Sequence, residues 1–361
     1  MMSKLGNEYR EHDALLSEAR EKIKLLELTF PLNEQEEKRV FFQDSRYEPQ
    51  FTYKKVEYDF GGLATRLAAL DFEADDLGTL YDDLRKTLLD KIEITRNRGN
   101  REIVVPLSKG LFGEVDQALY AYAREILSRP IEDGERTLDI SPTEAKTIFE
   151  KYLKQLQLDD WRVELSPRFI TSVIVSRRTI ALSRHRFFSS HEIERLVIHE
   201  IGVHVIRAAN GFRQPYGIFS IGTPWYESTE EGTAVYIENQ AGMIDESVMR
   251  NYAGRVVAVK TVFDGWAFKD TFDEMKEAGF SDNEAWQLSV RTHRAGGLAK
   301  DHIYLKGFFE LKTRFKDDRS DLPYLFTGKI GIGHLELVKR LISGGVLREP
   351  KYVHDFLGKF L

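Results

Sequence analysis

Leu196-Val197-Ile198-His199-Glu200-Ile201-Gly202-Val203-His204-Val205-Ile206 is the stretch whose reading decides this chain. It is apolar except at His199, Glu200 and His204, with Gly202 between the histidines. Upstream, Ser189-Ser190-His191-Glu192 supplies a helix cap, so a buried helix is predicted to run on through Ile198 and Ile206. The pattern is HExxxH, with five residues from His to His rather than the four of HExxH. On a regular helix at ~100° per residue, five residues leave the second ring about 140° from the first. A π-bulge widens the turn and brings i and i+5 nearly into line. A local irregularity near Gly202 is therefore predicted if both rings serve one ion, because glycine tolerates the distortion.

Two imidazoles and a carboxylate in a run of Ile, Val and Leu are costly without partners. The bland alternative, two unrelated core histidines, leaves that cost unmet. A metal ion with a peptide substrate satisfies all three groups. In zinc peptidases two histidines so placed bind the ion, and the Glu beside the first is the general base. A third ligand is needed. Tyr226-Glu227-Ser228-Thr229-Glu230-Glu231-Gly232-Thr233-Ala234 offers one, with Ser228 or Thr229 as helix cap and both Glu230 and Glu231 in the first turn. One could bind metal and the other orient a histidine from behind. An ordinary acidic first turn is the alternative, and the residues alone leave the choice open.

Composition narrows the chemistry. The 361 residues carry 52 Lys+Arg against 58 Asp+Glu, a formal charge of -6, and no cysteine. Thiolate metal sites, disulfides and cysteine nucleophiles are excluded, so a metal must be held by His, Asp or Glu. The polar start, Met1-Met2-Ser3-Lys4, has no apolar leader segment, and no apolar run is long enough to span a bilayer. The expectation is a cytoplasmic protein without nucleic acid or membrane as partner.

The rest of the chain reads as mostly helical. The expected division is a helical and extended N-terminal region over 1–135, packed on a catalytic domain over 136–361. An amphipathic helix is expected near Leu15–Leu26, and an extended aromatic segment over Arg39–Tyr58. Helices follow over 75–128, then a boundary at Arg129-Pro130 and a turn at Glu132-Asp133-Gly134. Ser141-Pro142-Thr143-Glu144 is a capping box opening a helix to about Leu158. Short strands are expected at Trp161–Leu165, Ile170–Val175 and Thr179–Leu182, the last as an edge that a substrate chain could join. The fold class is thus α+β, with a small antiparallel or mixed sheet packed on the metal-binding helix. Gly328-Lys329-Ile330-Gly331-Ile332-Gly333 lacks the Lys-Ser/Thr ending of a phosphate loop and reads as a turn. His185, His191, His293, His302, His334 and His354 read as structural or surface residues.

Several of these segments together resemble one family. His199 to His204, Asn210-Gly211-Phe212-Arg213-Gln214-Pro215 and Glu230-Glu231-Gly232-Thr233-Ala234 are similar to the QEGLA-motif family. That family includes microtubule-associated tyrosine carboxypeptidases and bacterial relatives labelled flavohemoglobin expression-modulating proteins. Tyr47-Glu48-Pro49-Gln50-Phe51-Thr52-Tyr53, Arg294-Ala295-Gly296-Gly297, Ala299 to Gly307 and Leu347 to Tyr352 extend the likeness over about 40 to 361. Thr233 stands where Leu is usual, a packing change that removes no ligand.

The resemblance implies a zinc metallopeptidase with a thermolysin-like (zincin) core and one Zn²⁺ per chain. Carried over by position, His199, His204 and Glu231 would be the ligands and Glu200 the general base. Thermolysin-like enzymes often place an acidic residue four after the ligand Glu. Here that position is Val235, so Glu230 or Glu227 would have to support His199 from behind. Tyr304, in a family-like segment, is the candidate oxyanion donor, ahead of Tyr226 and Tyr216. Arg213, Arg291, Arg294 and Lys300 lie in family-like segments and are candidates for holding a substrate's terminal carboxylate. The expected activity is a metallocarboxypeptidase acting at a peptide or protein C-terminus. An endopeptidase or aminopeptidase using the same site, and a regulatory protein that keeps the metal without turnover, are the rival readings. The tubulin-directed activity of some relatives is not carried over, because pocket residues set substrate choice.

Overall fold

The structure is a computed structural model that describes residues 2–44, 46–130, 134, 136–167, 173–353 and 358. The chain forms two compact units: Met1–Ile131 with Ser247–Lys306, and Glu132–Glu246 with Gly307–Leu361. The chain passes between the units after 131, 246 and 306.

The first unit is built of helices. Asp59, Asp75, Asn100 and Asp116 each cap a helix by accepting from a backbone N–H in its first turn. One part of its core gathers Ile94, Val104, Ala295, Leu298 and Ile303. Another packs Phe41 edge-on against Phe268 and tilted against Trp286, with Phe51 alongside. Here the aromatic segment departs from the expectation of an extended chain. Phe41 and Phe42 lie on a helix, Glu34–Gln43, whose first turn carries Glu34, Glu36 and Glu37. Those carboxylates favour the helix N-terminus, and the chain is irregular only beyond it.

The second unit holds the sheet. Its strands are β1 (Arg162–Ser166), β2 (Val173–Ser176) and β3 (Thr179–Ser183). The order is β1-β3-β2, with β3 parallel to β1 and antiparallel to β2. Residues 170–172 of the expected second strand lie outside the described residues. A tight turn with Arg177 at φ 53 joins β2 to β3. β3 is therefore central and has no free edge, which corrects the expectation that it could receive a substrate strand. Alternation of side chains gives a strand its faces but not its neighbours.

The expected capping box opens the helix Pro142–Gln155: Ser141 N–H donates to Glu144 at 2.9 Å, and Glu144 N–H donates back to Ser141 Oγ at 3.3 Å. That helix and β2 both lie beside the segment carrying His199 and His204. That segment starts as an α-helix, Ser190–Leu196, capped by Ser189. It becomes a π-helix over Val197–Val205 and returns to α over Ile206–Arg213. The irregularity expected near Gly202 is thus present and spans both histidines. Among the described residues no helix is long and apolar enough to cross a membrane.

Candidate metal centre

Along the π-helix runs the helix Tyr226–Gln240, referred to here as the acidic helix. It begins earlier than a Ser228 or Thr229 cap would allow. Trp225, at φ 56, turns the chain into it, so Ser228 and Thr229 lie inside its first turn. Thr229 Oγ1 instead accepts from Ile332 N–H at 2.7 Å. Glu230 and Glu231 consequently sit just past the first turn, level with the two imidazoles.

His199, His204 and Glu231 each offer a ligand atom, and these atoms all lie within 4.8 Å of one another. Glu231 Oε2 is 3.7 Å from His199 Nε2 and 3.8 Å from His204 Nε2. The two rings are 4.9 Å apart between centroids. With metal–ligand bonds of about 2.0–2.2 Å, tetrahedral geometry separates ligand atoms by roughly 3.3–3.6 Å. The spacing suits a single small divalent ion. Glu231 Oε2 is also buried with no hydrogen-bond partner, an acceptor left for such an ion. Two imidazoles and a carboxylate are a donor set that Zn²⁺ takes readily, as Mn²⁺, Co²⁺ or Fe²⁺ also can.

Behind each imidazole stands a second carboxylate. His199 Nδ1 is 2.7 Å from Glu238 Oε1, and His204 Nδ1 is 3.5 Å from Glu230 Oε1. The support for His199 is therefore Glu238, not Glu230 or Glu227 as expected; Glu230 stands behind His204. Glu238 lies seven residues after Glu231, two helical turns on and on the same face. That spacing was its one signal in the sequence. Each outer carboxylate has a cation beyond it. Arg195 Nη1 donates to Glu238 at 3.1 Å, and Lys329 Nζ is 3.8 Å from Glu230.

The charges act together. Burial works against protonating His199, yet Glu238, Glu231 and Glu200 outweigh it and raise its pKa to about 10. His204 shifts up likewise, burial again being overcome, by Glu230, Glu231 and Glu200. Burial alone would raise the Glu230 carboxyl, but Lys329, His204 and Arg207 hold it well below the ordinary carboxylate range. Glu231 is lowered too, its burial outweighed by the two histidines. The acidic field that favours protons on these rings also favours a divalent cation between them. Glu200 follows His199 on the π-helix, at 9% exposure, and contributes to that field at both rings.

Lys329 is fixed in place by its loop. Buried Arg207 donates to the carbonyls of Leu325, Gly328 and Ile330 at 3.1, 3.2 and 2.6 Å. Gly331 N–H donates to Thr223 Oγ1 at 2.9 Å. The glycine-rich segment is thus a pinned turn, as its sequence suggested.

Other expected residues lie elsewhere. Arg213, in the second unit, sits over the Tyr352 ring at 5.9 Å. Tyr304, Arg291, Arg294 and Lys300 belong to the first unit. There Tyr304 stacks on Tyr252, Lys300 lies over Phe112, and Arg291 and Arg294 face Asp301. Half-buried His293 bonds Thr271 Oγ1 at 2.8 Å, and fully buried His302 bonds the Gly113 carbonyl at 3.0 Å. His354 lies outside the described residues.

Comparison with known proteins adds three findings. The profile of the family described as microtubule-associated tyrosine carboxypeptidase matches residues 38–360. The Mus musculus protein MATCAP2, whose name assigns it provisionally to the tyrosine carboxypeptidases, is 27% identical over 191 residues. That stretch is 49% of this chain and 35% of the mouse protein, so the match spans about a third of the relative's length. No solved structure matches.

Proposed function

The chain belongs to the microtubule-associated tyrosine carboxypeptidase family, and from that premise we propose that it is a zinc-dependent carboxypeptidase with a thermolysin-like core. Its substrate is the C-terminus of a peptide or protein. The observation that carries this reading is the convergence of His199, His204 and Glu231 on one ion-sized space beside Glu200.

His199, His204 and Glu231 would hold one Zn²⁺, which when bound polarises a water and the scissile carbonyl. Glu200 accepts the proton of the attacking water and delivers it to the leaving amine. Glu238 and Glu230 keep the imidazoles turned so that each Nε2 faces Glu231. β2, an edge strand of the sheet and a neighbour of the π-helix, is the strand along which an extended substrate would lie.

The test is metal content of the purified protein beside Glu231→Ala, followed by peptide-library digestion with Glu200→Gln. About one zinc per chain, lost in Glu231→Ala, is expected. Glu200→Gln should keep the metal and lose roughly 10²–10⁴-fold in turnover. A parent that takes up no metal after zinc reconstitution would overturn the peptidase reading. Equal turnover by Glu200→Gln would overturn the base assignment.

A further inference from the structure

The turn Gly328-Lys329-Ile330-Gly331 lies in the same unit as the metal centre, and main-chain groups anchor it. Lys329 N–H donates to the Phe219 carbonyl at 2.8 Å, and Thr223 N–H donates to the Lys329 carbonyl at 2.9 Å. Buried Arg207 takes the carbonyls on either side, those of Gly328 and Ile330. The neighbouring chain passes very close. A Cβ on Gly328 would lie 2.6 Å from the Phe219 carbonyl oxygen, and one on Gly331 2.6 Å from that of Pro224. The Lys329 side chain therefore starts from a fixed point.

Its ammonium reaches the acidic helix. Lys329 Nζ is 5.7 Å from the centre of the Tyr226 ring and 3.8 Å from Glu230 Oε1. Tyr226 and Glu230 are four residues apart, about one helical turn, so both face the same side. The Lys329 side chain is only 17% exposed. An ammonium so withdrawn from water is unfavourable unless its surroundings compensate, and a turn held by its own backbone does not require one. The charge acts on the helix it faces.

The two histidines are backed differently. On the His199 side the contacts are of hydrogen-bond length: Glu238 is 2.7 Å from the ring, and Arg195 donates to Glu238 at 3.1 Å. On the His204 side they are longer, 3.5 Å from the ring to Glu230 and 3.8 Å from Glu230 to Lys329. The Glu230 Oε1 that makes both contacts is buried without a hydrogen-bond partner. Hydrogen bonds fix Glu238. Charge holds Glu230, so its place depends on where the ammonium stands. Coulomb attraction still acts at these distances, and more strongly away from solvent.

We propose that Lys329 is a positioning residue of the metal centre. Its ammonium holds the Glu230 carboxylate behind His204, so that Nδ1 faces Glu230 and Nε2 faces Glu231 and the ion. It also keeps Glu230 turned from the ion, leaving Glu231 as the one carboxylate ligand. This role rests on the zinc reading above.

The test has a metal-free and a zinc-bound arm, both on the full chain. Lys329→Met, Glu230→Gln and the double variant form a cycle. In urea unfolding of the metal-free protein, the double variant should depart from the product of the single effects by about fivefold or more in the unfolding equilibrium constant. In zinc competition against a chelator, Lys329→Met should bind roughly tenfold more weakly than the parent. Lys329→Arg should recover most of that loss, and Lys329→Met should weaken Glu230→Gln no further. A merely structural lysine would change the unfolding and leave zinc affinity where it was. That result, with the fold intact by circular dichroism, would overturn the proposal, as would independent effects of the two substitutions in either arm. A parent that takes up no zinc would overturn the zinc reading and the role of Lys329 together. Full zinc affinity in Lys329→Met beside a zinc-binding parent overturns the role of Lys329 alone.

Discussion

At His199 both ring nitrogens face carboxylates, Nδ1 toward Glu238 at 2.7 Å and Nε2 toward Glu231 at 3.7 Å. Glu238 is itself 0% exposed and takes Arg195 at 3.1 Å, so the ring cannot turn without breaking a buried contact. Glu238→Gln keeps the shape and removes the charge. In a competition titration against a chelator its zinc affinity should fall roughly 10- to 100-fold. An unchanged affinity would mean that Glu238 does not position the ligand. His199, Glu200 and His204 could be read from the sequence because their chemistry is packed into one short spacing. Glu238 could not, because it lies 39 residues from the ring it supports. Which acidic residue of the acidic helix faces which imidazole depends on how two helices pack, and no local pattern records that.

For the elements, the π-helix is where spacing alone dictated geometry. A step of five residues from one histidine to the next demands a wider turn if the rings are to converge, and Val197–Val205 has it. The acidic helix is held close by glycine. A Cβ on Gly232 would sit 2.2 Å from the carbonyl carbon of Gly307 and 2.5 Å from its Cα. Both opposing atoms are backbone, so they cannot swing aside. Gly232→Ala should destabilise the fold by roughly 1–3 kcal/mol in urea unfolding. It should also loosen metal retention, because Glu230 and Glu231 precede the displaced residue. A variant matching the parent in both measurements would show the helix has room to move. The sheet was less legible. The three strands were found near their places, but the central position of β3 was not, because pairing between strands is set by long-range packing.

Across the whole molecule, buried neutral histidines tie stability to pH. Burial lowers His293 to about 3, with Arg101 adding to the effect, and burial lowers His302 to about 4, with Lys306 adding. Both values lie below the ordinary 6.5, so the unfolded chain takes up these protons first. The stability is full above about pH 6.5 and is lost as pH falls toward 4 for His302 and 3 for His293, by about 1.4 kcal/mol per pH unit for each. Urea midpoints should therefore drop between pH 6.5 and 4, and His302→Gln should flatten that slope. A slope unchanged in the variant would exclude His302 as its source. At this scale, too, the division of labour between sequence and structure is plain. The sequence by itself determined the helix-rich class, the HExxxH segment with its distorted turn, the candidate ligand set, and the family through the order of its motifs. The helix class, the distorted turn and the two histidines follow from local spacing and from the cost of burying charge, and Glu231 follows from the family resemblance. Only the tertiary structure decided that Glu238 backs His199, that β3 is central, and that Ser247–Lys306 joins the N-terminal residues in one unit. It also brought the charge of Arg255 to bear on Asp301. Each of these is a relation between residues far apart in the chain, fixed by packing that no short window of sequence contains.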